Sequence, residues 1–250
     1  MPATPAWPPS SLPRLYVEQS LSDDAQLTLE GAQAHYLSAV LRLGAGAQAK
    51  LFDDRTGEWL AEIAKAGRKR LSLRLLQHLR EREPVPDLWL LFAPIKRGRI
   101  DWLVEKATEL GVARLVPVIT RRTIVDKLNG ERLRAHMVEA AEQCERTALA
   151  ELAEPVKLDA LLKAWPAGRA LLFADEMGGE PLLDAAAAPA AILIGPEGGF
   201  TDEEREAIRA LPQSRAISLG PRILRADTAA IAAVSLWMAA AGDWNRPAAR

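Results

Sequence analysis

Cysteine is almost missing from this chain, with Cys144 standing alone among 250 residues. No internal disulfide can form, and a reducing compartment such as the cytoplasm is the expected setting. Histidine is nearly as scarce. His35, His78 and His136 are scattered without acidic or cysteine partners at ligand spacing, so no metal site is expected. Long apolar runs are also missing. The stretch Ala229 to Ala241, among the longest, falls short of the ~20 residues that cross a bilayer, and no membrane span is expected. Met1 to Ser10 is rich in proline and has no basic region leading into an apolar core, so it does not read as a targeting peptide. Neither sign of charge is in excess. A formal net charge of -1 and a pI near 6.4 argue against binding nucleic acid by bulk charge, so any RNA contact must use local patches. There is no Gly-x-Ser-x-Gly elbow for hydrolase chemistry, and no dinucleotide fingerprint of glycines with a following ribose-binding acid.

What is present is ordinary globular material, 49% hydrophobic and 26% charged, long enough for one large domain or two modest ones. From Arg14 to Gln77 the pattern is short strands: Arg14 to Glu18, Leu27 to Leu29, Gln48 to Phe52, Trp59 to Ile63, and alternating Leu71, Leu73 and Leu75. The one helix expected there is His35 to Leu43, stopping at Gly44 and Gly46. Glu81 to Pro86 mixes charge with proline and reads as a connector, giving a β-rich domain over 1–80 and a second domain over 86–245.

The second domain alternates strand and helix. Expected strands are Leu88 to Ala93, Arg114 to Thr120, Ala170 to Ala174, Ala191 to Ile194 and Ala216 to Leu219. Expected helices run from Arg99 to Leu110, from about Arg132, from Asp202 and from Thr228. Such alternation predicts a parallel sheet covered by helices. The stripe Leu133, Met137, Ala140, Ala141, Cys144 and Ala148 places Cys144 in the core, and apolar surroundings do the same for Trp89, Trp102 and Trp237.

Two glycine loops stand out. Ile192 to Ile194 leads into Gly195-Pro196-Glu197-Gly198-Gly199-Phe200, followed by Thr201 and Glu204 at capping-box spacing. Its place at a strand's carboxyl end suits a ligand, although a turn that binds nothing explains it about equally well. Glu197, Asp202, Glu203 and Glu204 crowd the helix start with negative charge, which disfavours an anion and fits a neutral or cationic ligand. The second loop, Leu219-Gly220-Pro221-Arg222-Ile223-Leu224-Arg225, leads into a helix that Asp227 or Thr228 can cap. Arg222 and Arg225 bring positive charge toward a helix N-terminus, read either as an electrostatic task or as solvated arginines.

Together these loops resemble the bacterial 16S ribosomal RNA uracil-N3 methyltransferases, the RsmE family. Further matching segments are Arg14-Leu15-Tyr16-Val17, His35-Tyr36-Leu37 with Val40-Leu41-Arg42-Leu43, Lys96, Glu105 to Val112, and Glu142 to Thr147. The resemblance spans nearly the whole chain. It implies a PUA-like RNA-binding β-barrel domain followed by a SPOUT-type α/β domain with a parallel sheet and a trefoil knot, active as a homodimer. It implies S-adenosylmethionine as cofactor, held by Gly195, Glu197, Gly198, Gly199, Leu219, Gly220, Ile223 and Leu224. The implied partner is 16S ribosomal RNA or the small ribosomal subunit. A related methyltransferase acting on transfer RNA and a non-catalytic RNA-binding module are the alternatives.

Within this resemblance Arg225 is the expected catalytic residue, stabilising charge on the uracil carbonyls, and Asp227 is expected to orient it, to accept the proton, or only to cap the helix. Expected RNA contacts are Arg14, Arg42, Lys96, Arg97, Arg121 and Arg122, with Lys65, Arg68, Lys69 and Arg70 as a further basic run or a solvated face. The chain departs from the family pattern at two places. Asp227 replaces a glutamate usual in the family, and Glu145-Arg146-Thr147 replaces the frequent Gly-Arg-Asn.

Overall fold

The computed structural model describes residues 12–67, 70–125 and 127–245, so Met1 to Ser10, Arg68 and Lys69 lie outside the described residues. The chain divides into two compact units. One comprises the residues through Pro84 together with Ala141–Ala148; the other comprises Val85–Ala140 and the residues from Leu149 onward.

The N-terminal unit is a curled five-stranded sheet in the order β1 (Arg14–Tyr16), β3 (Gln48–Phe52), β4 (Glu58–Ala66), β5 (Arg70–Arg80), β2 (Gln26–Glu30). Alternation drives it. Leu71, Leu73 and Leu75 on β5 and Trp59, Ala61 and Ile63 on β4 face one core with Leu27, Leu29 and Leu51. Three register shifts between β4 and β5 bend the pair, as bulges do. The expected helix differs in its bounds and type. It begins at α1 (Gly31–His35) and widens into a π-helical turn over Tyr36–Val40, closed by Leu41 N–H to Tyr36 C=O at 2.9 Å. The widening seats Ala34 and Leu37 in the core and leaves Tyr36 and Val40 exposed. It also ends before Gly44, with Arg42 in the left-handed region at φ 55.

Burial in this unit centres on an ion cluster. Glu58, 2% exposed, accepts from Arg14 Nε and from Arg80 Nε at 3.1 Å, with Lys50 Nζ at 3.7 Å. Arg14 also donates to the carbonyls of Ala141 (2.6 Å) and Arg146, and stacks over Phe52 at 3.9 Å. Thr147, buried, accepts the Glu83 N–H at 2.8 Å, so its role is to anchor the end of the connector. Glu145 has φ 62, the left-handed conformation that glycine adopts without steric cost. A non-glycine residue there costs about 1–2 kcal/mol, partly offset by glycine's extra freedom when unfolded. Glu145→Gly is therefore expected to raise stability by about 0.5–1 kcal/mol, read from a urea midpoint.

The C-terminal unit is built on a parallel sheet ordered β11 (Glu180–Pro181), β13 (Ser214–Ser218), β10 (Ala170–Ala174), β12 (Ala190–Ile194), β6 (Leu88–Phe92), β7 (Arg114–Ile119), β8 (Glu151–Leu152), with β9 (Val156–Lys157) also on β7. The near-continuous apolar strands suit burial on both faces. Helices α2 (Arg99–Glu109), α6 (Asp202–Arg209) and α7 (Ala226–Ala240) cover it, with α3 (Gly130–Gln143), α4 (Leu158–Lys163) and α5 (Leu182–Ala185) between strands.

Two core expectations are corrected. Cys144 is exposed, because α3 ends at Gln143 and the helical stripe cannot continue through it. Trp102 is 42% exposed, since Ile100, Leu103, Val104 and Ala107 define the buried face of α2. Trp237 is buried as expected, whereas Trp89 is half-buried beneath the guanidinium groups of Arg169 (3.9 Å) and Arg114 (4.7 Å). Among the described residues no helix is long and apolar enough to cross a membrane.

Candidate functional site

Parallel pairing brings the carboxyl ends of neighbouring strands to one edge of the sheet, because Phe173 on β10 pairs with both Leu193 on β12 and Ala216 on β13. Loops that are far apart in sequence therefore emerge side by side in the strand order β13, β10, β12. The first glycine loop follows β12, and the second follows β13. Between them, after β10, lies Asp175-Glu176-Met177-Gly178-Gly179, a third glycine loop that the sequence reading missed. Its signal is present in the sequence, since the strand ending at Ala174 is followed by Gly178-Gly179 at the same spacing as Gly198-Gly199 after Ile194.

The first loop is a built turn. Gly199 N–H donates to Pro196 C=O at 2.8 Å, and Gly199 takes φ 66. A Cβ on Gly199 would collide with Glu176 Oε1, and one on Gly195 would press into the Phe200 ring. Packing thus restricts both positions, and backbone angle restricts Gly199 in addition. Gly199→Ala is expected to lose stability by more than about 1 kcal/mol and to weaken cofactor binding, both measurable by calorimetry. The capping box at α6 is present as expected: Glu204 N–H donates to Thr201 Oγ1 at 3.3 Å, and Thr201 N–H donates to Glu204 Oε2 at 3.0 Å.

The acidic crowding expected here is largely neutralised. Asp202 faces Arg205 at 3.3 Å, and Glu203 pairs with Arg121 at 2.9 Å. Glu204 also accepts the Arg121 N–H at 2.7 Å. The Thr201 hydroxyl and the nearby Arg121 charge hold Glu203 below the usual carboxylate range. Glu197 is exposed and has no ion-pair partner among the described residues. It is the one acid of the four whose charge remains for a cationic ligand.

Behind the loops, α6 is tied to the end of β10. Arg205 bridges Asp175 at 3.0 Å and Glu176 at 2.5 Å, while Arg209 reaches Asp175 at 2.6 Å. Although burial opposes its charge, the carboxylates of Asp175 and Glu176 raise the Arg205 pKa. This ladder fixes the third loop against the helix that the first loop starts.

The second loop is open. Gly220 has φ 104, with nothing within 4 Å of the point where a Cβ would stand, and Ile223 is 90% exposed. Leu219 and Leu224 are half-buried. An apolar side chain held in solvent beside an open glycine face fits a surface that closes over an apolar or aromatic ligand group. Arg225 is the N-cap residue of α7, exposed and without a side-chain capping bond. Asp227 lies inside the first turn and does not cap α7. Its carboxylate accepts the Thr228 N–H at 3.0 Å and faces Arg99 at 3.8 Å.

The expected RNA-binding cations separate into groups. Arg14 leaves the candidate surface, because it is 8% exposed and its guanidinium is committed to Glu58 and to carbonyls. Arg122 donates to Gly198 C=O at 2.7 Å and Phe200 C=O at 3.2 Å, so with Arg121 it braces the first loop. Arg70 pairs with Glu30 at 2.9 Å. Arg42, Lys96 and Arg97 are exposed.

Comparison with known proteins matches this architecture. The model of the RNA methyltransferase domain matches residues 81–238, and that of the RNA methyltransferase PUA domain matches residues 29–76. The ribosomal RNA small subunit methyltransferase E of Rickettsia conorii is 33% identical over 89% of this chain and 93% of its own. A Legionella pneumophila methyltransferase solved with bound S-adenosylmethionine superposes with a TM-score of 0.80 at 31% identity, covering 92% of this chain and 98% of that one. The ribosomal RNA small subunit methyltransferase E of Neisseria gonorrhoeae, also bound to S-adenosylmethionine, gives 0.84 at 26% identity over 94% and 100%. With a family model covering more than half of its length, and loops and sheet arranged as described, the chain belongs to the ribosomal RNA small subunit methyltransferase E family of RNA methyltransferases.

Proposed function

We propose that this protein is a cytoplasmic homodimer that transfers the methyl group of S-adenosylmethionine to N3 of a uridine in 16S ribosomal RNA of the small subunit. The observation that carries the reading is the row of three glycine loops at the carboxyl edge of the sheet, with the Gly199 turn closed against Glu176 and the Gly220 face left open. The cofactor site is assigned to Gly195, Glu197, Gly198, Gly199, Leu219, Gly220, Ile223 and Leu224. The chemistry of these donors fits: Glu197 carries the uncompensated negative charge of the first loop, suited to a sulfonium, and Ile223 offers an apolar cover.

S-adenosylmethionine supplies a methyl group on a positively charged sulfur, already activated for displacement. The protein must hold the uracil in line and manage the proton that leaves N3 as the new N–CH3 bond forms. Negative charge then spreads over the flanking carbonyl oxygens. Arg225, exposed at the start of α7, is assigned to stabilise it. Asp227, held between the Thr228 N–H and Arg99, is assigned to orient Arg225 or to take the proton. RNA backbone contacts are assigned to Arg42, Lys96 and Arg97.

The test is nucleoside mass spectrometry of 16S ribosomal RNA from cells lacking the protein, before and after purified protein and S-adenosylmethionine are added to their small subunits. The reading requires 3-methyluridine to be missing and then restored. Its presence in those cells, with no methyl group added by the protein, overturns the substrate assignment.

A further inference from the structure

We infer that a hollow in the C-terminal unit, between the starts of α2 and α3, is a subsite for one nucleotide of the RNA strand that flanks the methylated base. The inference rests on the RNA methyltransferase reading above. The hollow has a volume of about 220 Å³ and is bounded by Ile95, Ile100, Arg97, Lys127 and Arg132. This is below the ~300–1,000 Å³ of sites for drug-sized ligands, so it suits a phosphate with part of its nucleotide.

Its chemistry is two-sided. Val125 and Leu128, half-buried above the buried Ile95 and Ile100, form an apolar floor, while Arg97, Lys127 and Arg132 bring positive charge to the rim. No carboxylate lines it among the described residues; Asp126 lies outside them. Arg132 is hydrogen-bonded to Asp101, which fixes its guanidinium and offsets part of its charge. Arg97 and Lys127 are exposed and have no ion-pair partner among the described residues. Asn129 Oδ1 accepts the Arg132 N–H at 2.9 Å, so its amide NH2 remains a donor. A free inorganic anion would need only the cations. The floor gives a sugar or base edge an apolar surface as well, which is the combination that single-stranded RNA presents.

The position agrees. Ile95 follows the carboxyl end of β6, on the same sheet edge as the glycine loops. Arg99, next to Ile100, faces Asp227 at 3.8 Å, so the start of α2 meets the start of α7, where Arg225 stands. A nucleotide in the hollow is therefore a near neighbour of a base presented to Arg225.

The experiment uses full-length protein and small subunits from cells lacking it, comparing wild type with Lys127→Ala, Lys127→Arg and Val125→Trp. Val125 also lines the hollow, and its replacement fills the space while keeping every charge. Lys127→Ala is expected to raise KM about five- to tenfold with unchanged kcat and S-adenosylmethionine affinity, and to reduce the salt slope of RNA binding by about 0.7–1. Lys127→Arg should restore both. Val125→Trp should raise KM with the salt slope intact, and inorganic phosphate at matched ionic strength should not displace the RNA. If Lys127→Ala and Val125→Trp both match wild type in KM and salt slope while wild type methylates normally, the subsite is overturned and the methyltransferase reading stands. Displacement by inorganic phosphate assigns the hollow to a free anion, and a change confined to oligomeric state assigns it to a subunit contact; either overturns the inference. Failure of wild type to methylate RNA overturns the underlying reading itself.

Discussion

Replacing Arg225 with alanine is expected to slow methyl transfer about 10²–10³-fold while leaving S-adenosylmethionine affinity unchanged. The size follows from its assigned task. Charge grows on the uracil carbonyls only as N3 loses its proton and attacks, so the guanidinium contributes more in the transition state than in the ground state. Such an interaction appears in kcat and kcat/KM together, with little change in KM. The fold should be indifferent to the change, because Arg225 is exposed and its side chain makes no capping bond to α7. Single-turnover rates on small subunits, with cofactor affinity measured by calorimetry, give the comparison. A wild-type rate in Arg225→Ala removes it from the chemistry, and loss of cofactor affinity places it in the cofactor site instead.

Glu58→Ala is expected to cost the N-terminal unit about 3–5 kcal/mol, because it leaves the buried Arg14 without its carboxylate partner. The same cluster sets the response to acid. Burial works to raise the Glu58 pKa, but hydrogen bonds from Arg80 and Arg14 outweigh it and hold the group below its ordinary value. Asp53 behaves alike, with burial opposed by the N–H groups of Thr56, Leu21 and Arg55. When a carboxylate titrates lower in the folded than in the unfolded state, the unfolded chain takes up protons first on acidification. The stability these groups confer is complete above their ordinary values of about 4 and fades as pH falls through the lowered ones. Hydrogen exchange of β3 and β4 amides from pH 6 down to pH 3 should show protection collapsing in that window, and Glu58→Gln should flatten the change.

Much of this molecule is legible from residue order because period-2 and period-3.6 patterns survive wherever one face is buried. Leu71, Leu73 and Leu75, and the stripe of Ile100, Leu103, Val104 and Ala107, are examples. The reading failed where a position depends on partners remote in sequence. Arg14 reads as a surface cation until Glu58 and the carbonyls of Ala141 and Arg146 surround it. The acids of the first loop read as a repulsive cluster until Arg121 and Arg205 are placed against them. The π-helical turn at Tyr36–Val40 has no distinct periodic signature, so an ordinary helix with glycine stops was expected in its place. Arg225 and Asp227 stand out only through family resemblance, since on residue type alone each has an adequate bland explanation, a solvated arginine and a helix cap.

The membership of Ala141–Ala148 in the N-terminal unit bears on synthesis. The segment that supplies carbonyl acceptors to Arg14 and the anchor for Glu83 leaves the ribosome long after β1 to β5 are complete. Until it arrives, Arg14 must either remain hydrated or be buried with part of its hydrogen-bonding capacity unmet, and the second choice is costly. The N-terminal domain is therefore first to begin folding but cannot be finished in order, and a fragment truncated at Pro84 would lack the carbonyl acceptors that Arg14 uses in the complete chain.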